Sequence, residues 1–133
     1  MSAVNAVRAS VVYDASYAPE ILIFRFTRWP SLAEQQTLLK SLVENRHLSR
    51  HSSGLLDITA LDDKELPDPD SLASGLAQAA GNNSVLKRVA CVVASPEQAR
   101  LVETLRMMAP QPGNIAVFFT QQDALEWLLN RGE

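Results

Sequence analysis

Residues 88–98 constrain this chain more than any other stretch. They read Arg-Val-Ala-Cys-Val-Val-Ala-Ser-Pro-Glu-Gln. The apolar run at 89–94 is the longest in the sequence, yet far short of the roughly 20 residues that span a bilayer. A short, wholly apolar run is the pattern of a strand covered on both faces. Directly after it, Ser95 supplies an N-cap, Pro96 a first helical residue that needs no amide, and Gln98 a capping-box partner. A buried strand turning at once into a capped helix is half of a βα crossover. The chain is therefore expected to be a layered α/β protein.

The flanking sequence repeats the alternation. Residues 9–13 (Ala-Ser-Val-Val-Tyr) form a short β-prone run, and residues 14–19 carry the Asp, Ser and Pro of a turn. Residues 20–27 (Glu-Ile-Leu-Ile-Phe-Arg-Phe-Thr) read as a strand, which places an antiparallel hairpin first. After Trp29-Pro30, Ser31 and Glu34 have capping-box spacing, and Leu32, Leu38, Leu39, Leu42 and Val43 make an apolar helical stripe that ends near His47. Strand three is placed at 54–61. An acidic, proline-bearing connection follows at 62–70. Helix two is capped by Asp68 or Asp70, with Pro69 at its first position and Gly81 beyond its end. Strand four is 88–94, and helix three buries Leu101, Val102, Leu105 and Met108 before Pro110, Pro112 and Gly113 stop it. Strand five is 114–119. Thr120 caps a last helix whose inward residues are Ala124, Trp127 and Leu128. The order β-β-α-β-α-β-α-β-α predicts one domain of about 9–129, built on a mostly parallel five-stranded sheet with an antiparallel first strand.

Composition narrows the function classes. With 133 residues, 12 Lys plus Arg against 15 Asp plus Glu, and a net charge of −3, the chain has no basic stripe for nucleic acid. One cysteine cannot form an internal disulfide, and a thiolate metal site needs more. No charged stretch leading into an apolar one opens the sequence, so no secretory signal is expected.

Three segments together resemble a known family. They are Leu55-Leu56-Asp57-Ile58-Thr59, Arg88-Val89-Ala90-Cys91-Val92-Val93, and the ending Val117-Phe118-Phe119-Thr120-Gln121-Gln122-Asp123-Ala124-Leu125-Glu126-Trp127-Leu128. They look like the SpoIIAA-like proteins of the STAS superfamily, over roughly residues 11–129. The resemblance implies a βα superhelix with strands in sequential order, a bacterial cytosolic setting and no enzymatic activity. The superfamily includes anti-sigma-factor antagonists, whose phosphorylated serine lies in an Asp-Ser-Ser-Gly-like stretch after strand three. Here that place holds Asp70-Ser71-Leu72-Ala73-Ser74-Gly75-Leu76, so Ser71 and Ser74 are the candidate phosphoacceptors. Leu72 and Ala73 interrupt the motif, and Pro67 and Pro69 precede it. Ser52-Ser53-Gly54 lies before strand three, at the other end of the sheet.

Other candidates have plainer readings. The acids Asp62, Asp63, Glu65, Asp68 and Asp70 lack the spacing and glycine of a calcium loop, so they are expected to be solvated. His47 and His51 are four apart, but no Glu follows His47 as in a zinc-protease helix; with Arg46 and Arg50 they suit a helix C-terminus. Cys91 is expected to be a buried small hydrophobe. Phe24, Phe26, Trp29 and Trp127 read as core or rim. Arg25 and Arg28 alternate with aromatics on strand two, and an uncovered hairpin edge there would let two copies pair. The basic stretch 46–51 and the acidic stretch 57–70 fall at opposite ends of strand three. The C-terminal rim, where α/β folds place their sites, then gathers Asp57, Asp70, Ser95 and Thr120.

The expectation is a non-enzymatic interaction or regulatory module, in the cytosol, with a protein partner or a second copy of itself. No cofactor, metal or nucleic acid is expected. Two alternatives stand beside it: a carrier of a small apolar ligand or lipid, as in the SEC14-type fold relatives, and a serine phosphoswitch at Ser71.

Overall fold

The protein is described from a computed structural model, which describes residues 5–7, 11–47, 52–71, 87–108 and 112–129. Six strands form one sheet in strictly sequential order: β1 (Asn5–Val7), β2 (Val11–Asp14), β3 (Ile21–Phe26), β4 (Ser53–Asp57), β5 (Val89–Val92) and β6 (Ile115–Phe118). The pairs β1–β2 and β2–β3 are antiparallel, and the remaining pairs are parallel. The five expected strands are present, mostly with trimmed ends, but Asp14 belongs to β2 rather than to the turn and Ser53 begins β4 rather than preceding it; the three-residue β1 comes before them. Its place corrects the expectation of an open hairpin edge. β1 lies along β2, so the strand pair carrying Arg25 is not the border of the sheet.

Helices α1 (Leu32–Glu44), α2 (Pro96–Met108) and α3 (Gln121–Leu129) follow β3, β5 and β6. Residues 69–71 are also helical; residues 72–86, which hold Ser74, Gly81 and most of the expected second helix, lie outside the described residues. Strand alternation sends side chains to two cores. On one face Leu22, Phe24, Phe26, Leu56, Val89 and Cys91 pack with Leu38 and Leu42 of α1 and with Leu101, Val102 and Leu105 of α2. On the other, Ile21, Ile23, Leu55, Ala90 and Val92 pack under Ala124 and Leu128 of α3. All four β5 residues are buried, as a strand sandwiched between helices must be.

Three helical positions differ from the sequence expectation. Val43 is 46% exposed and Met108 is 48% exposed. Each lies in the last turn of its helix, past the buried layer that ends at Leu42 and Leu105. Trp127 is half-buried rather than fully inward. Its ring lies 5.5 Å from Phe118 and carries the Arg88 guanidinium 3.7 Å above it.

Helix α1 starts on a complete capping box. Glu34 N donates to Ser31 Oγ at 3.2 Å, and Ser31 N donates to the Glu34 carboxylate at 2.8 Å. Arg28 grips the same carboxylate through both terminal nitrogens, at 2.9 and 3.3 Å. The Ser31 amide, and then Arg28, hold the Glu34 carboxyl below its usual range. The Ser16 hydroxyl does the same for Asp14. Because both folded values are lowered, their contribution is complete above the ordinary carboxylate range near pH 4. It is lost as pH falls through the lowered values. Urea midpoints should therefore fall below about pH 4, and less steeply in Glu34→Gln, which keeps the cap without the titration.

Helix α1 ends on Asn45. His47 N donates to Leu42 O at 2.9 Å and Arg46 N to Val43 O at 3.1 Å, the paired bonds of a Schellman turn. Arg46 sits at φ 60°, where glycine is usual. Arg46→Gly should raise stability by about 0.5–1 kcal/mol, the left-handed strain relieved less the added freedom of the unfolded chain. A higher thermal or urea midpoint checks it.

Candidate functional site

Parallel pairing brings the ends of β3 to β6 to one rim. Arg25 lies beside Asp57, and Asp57 beside Val92, which neighbours Phe118. Of the rim residues the sequence singled out, Asp57 ends β4, Ser95 and Thr120 lie in the turns after β5 and β6, and Asp70 lies on the helical turn 69–71. The opposite pole carries His47, whose Nδ1 meets the Tyr13 hydroxyl at 3.2 Å. It also carries Ser52, whose hydroxyl donates to Pro19 O at 2.5 Å; this serine is buried and structural. His51 and Arg50 lie outside the described residues.

At the rim, short polar side chains shape the backbone. Asp57 accepts from Thr59 N at 3.0 Å and from its hydroxyl at 2.6 Å, turning the chain out of β4. Asp68 accepts from Ser71 N at 2.7 Å, so it, and not Asp70, caps the helical turn that begins at Pro69. Asp70 and Ser71 are exposed on that turn. Thr120 caps α3 by accepting from Asp123 N at 3.1 Å. Ser95 caps α2 by accepting from Gln98 N at 3.1 Å, and its own hydroxyl donates to Asp63 at 2.8 Å. Asp57 therefore ends β4, and Ser95 and Thr120 follow β5 and β6, each holding a turn or a helix start, while Asp70 lies further along the chain on the 69–71 turn.

Gln98 departs from its expected role. Its Oε1 accepts from Ala94 N at 2.6 Å, and its Nε2 donates to Leu61 O at 2.9 Å. The side chain is 2% exposed. It thus ties the loop after β4 to the turn after β5. The capping-box spacing singled out Gln98, but its long-range partner Leu61 leaves no local signal. Arg25 is a second such tie, since its Nε donates to Gln121 across two intervening strands at 3.2 Å, and its guanidinium lies 3.7 Å from Asp14.

On the α1 face an aromatic row runs Tyr13–Phe24–Phe26–Trp29, with ring centroids 5.3, 6.4 and 5.0 Å apart. The Trp29 indole N–H is buried with no hydrogen-bond partner. Burial pushes the Tyr13 phenol above its ordinary value and the Cys91 thiol up to about 12, so Cys91 carries little thiolate at neutral pH. Among the described residues, no group of three or more His, Cys, Asp or Glu side chains is arranged to hold a metal ion. Among them also, no helix is long and apolar enough to cross a membrane.

Comparison with known proteins adds one finding. No family model matches the sequence, and no curated protein matches it. One solved structure does: an uncharacterized protein from the DUF3478 family, with a SpoIIAA-like fold, from Shewanella loihica. It superposes with a TM-score of 0.63 at 19% identity, covering 96% of this chain and 98% of that one. Sequential strands, antiparallel at one end and parallel through the rest, with helices on both faces, give this chain the SpoIIAA-like fold over nearly its whole length.

Proposed function

We propose that the chain is a non-catalytic interaction module that meets a protein partner through the loops of its C-terminal rim. One observation carries the reading. The rim's candidate chemical groups are engaged in shaping backbone: Asp57 in its turn, Ser95 and Thr120 at helix starts, and Asp63 on Ser95. Groups held this way build a fixed surface rather than a reactive one. Glu65, Asp70 and Glu97 are exposed on it. The test is affinity capture from the native host, repeated in the reciprocal direction and with Glu65→Lys/Asp70→Lys. Reversing those charges should lower recovery of the partner at least about tenfold, a 1.4 kcal/mol effect. A captured partner indifferent to the reversal would sink the reading. So would turnover of a defined substrate that depends on Asp57, Ser95 or Thr120.

A carrier of a small, mostly apolar ligand is the second reading. The orphaned Trp29 N–H at the end of an aromatic row favours it, because buried donors normally find an acceptor. Native mass spectrometry of the purified chain should then retain a ligand that Trp29→Phe loses. The serine-switch reading has less behind it. Asp68 already takes the Ser71 amide, and a phosphate there would add to the charges of Asp68 and Asp70. Phosphosite mapping in cells with no phosphate at Ser71 or Ser74 would end it.

A further inference from the structure

We infer that the indole N–H of Trp29 donates to an uncharged, carbonyl-type oxygen on a small ligand whose body is apolar. This rests on the carrier reading above and adds the chemistry of what is carried. Trp29 Nε1 is buried and unpaired, and among the described residues no other buried side-chain nitrogen or oxygen is left so. Buried indole N–H groups normally find a partner. The turn that holds Trp29 spends its own acceptors on starting α1. Pro30 O accepts from Gln35 Nε2 at 3.1 Å, and Ser31 O from Gln35 N at 2.9 Å. The Glu34 carboxylate takes Ser31 N and both terminal nitrogens of Arg28. An indole N–H donates and never accepts, so the absent group is an acceptor, and an ammonium or guanidinium in that place is excluded.

The surroundings set the ligand's charge. The Phe26 ring lies 5.0 Å from that of Trp29, and half-buried Leu66, from the connection after β4, packs on the same apolar core. The cations closest along the chain are taken or in water: Arg28 is bound to Glu34, and Lys64 is exposed. A carboxylate or phosphate at Nε1 would therefore be buried among apolar groups without either of them. An unpaired buried ion loses more hydration than one hydrogen bond returns. A ketone, ester or amide oxygen gives up far less water for the same bond. The half-buried Trp29 ring reaches from this interior position to solvent, so a ligand can enter along its open edge and meet the N–H inside.

Nuclear magnetic resonance of the full chain, labelled with nitrogen-15, tests this directly. The chain has two tryptophans, Trp29 and Trp127, so two indole N–H signals are followed, with Trp29→Phe assigning them. The probes are 2-octanone and octanoate, which share an apolar body and differ in the charge of the acceptor. Near neutral pH, 2-octanone should move the Trp29 signal downfield along a saturating curve and leave that of Trp127 in place. It should bind at least about tenfold more tightly than octanoate, and Trp29→Phe should weaken it by about the same factor. Octanoate binding as tightly as the ketone overturns the inference while leaving the carrier reading in place. So does 2-octanone binding that leaves the Trp29 signal unmoved, since the N–H is then satisfied by a fixed water or not at all. If neither probe binds, the inference and the carrier reading fail together. Should Trp29→Phe lose the native spectrum, the movement of the wild-type Trp29 signal and the ratio of the two probes decide the matter.

Discussion

Truncating Leu55 to alanine is expected to destabilise the fold by about 3–4 kcal/mol. Leu55 is fully buried on β4, which is hydrogen-bonded to β3 on one side and β5 on the other. Neither neighbour can move in to fill the space without breaking its ladder. Among the described residues, the nine-residue α3 lies above it, seated through Ala124 and Leu128. The cavity therefore persists, and the lost contacts add to the lost transfer energy. Urea unfolding followed by circular dichroism measures it. A control at half-buried Leu39 on α1 should lose about 1 kcal/mol, since less of that side chain leaves water on folding. Equal losses at the two positions would mean that α3 does not close over β4 as described.

Gln98→Leu is expected to lower stability by about 2 kcal/mol, although leucine is close to glutamine in size. The change removes the acceptor of the Ala94 N–H, at a residue that is itself exposed, and one donor from the buried Leu61 O. Each buried group left unpaired costs about 1–3 kcal/mol. Ser95→Ala, which removes the adjacent cap and its bond to Asp63, should cost about 1 kcal/mol. A double mutant should fall short of the sum, because both residues hold the same junction between the β4 and β5 loops. Strict additivity would show that the two ties act independently.

What could be seen in the sequence follows the distance over which each interaction acts. The box of Ser31 and Glu34, and the caps at Ser95 and Thr120, are contacts three residues apart, so spacing alone exposed them. The apolar run of β5 showed a strand covered on both faces before any partner was known. The mostly parallel layered sheet followed from such local signals plus the handedness of crossovers, whereas the sequential strand order was implied by the resemblance to SpoIIAA-like proteins. Gln98 with Leu61, Arg25 with Gln121, and Arg88 over Trp127 join segments 37, 96 and 39 residues apart. Nothing in the local pattern distinguishes these side chains from solvated ones. β1 was missed for a different reason: three residues, Asn-Ala-Val, are too few to show a period. Choosing between Asp68 and Asp70 was equally beyond spacing, since either could precede a helical turn.

The sequential order of the strands has a consequence for ligands. In many open α/β sheets the order reverses once, and successive helices then leave the rim toward opposite faces. Their loops part there, and the gap between them is the ready-made crevice for a nucleotide or small substrate. From β3 to β6 this sheet never reverses, and α1 and α2 pack on the same face. Neighbouring rim loops are instead drawn together, as Ser95 with Asp63 and Gln98 with Leu61 illustrate. The loops after β4 and β5 are thereby held as one unit, so the partner proposed above would meet both at once and a change in either would be felt through the other.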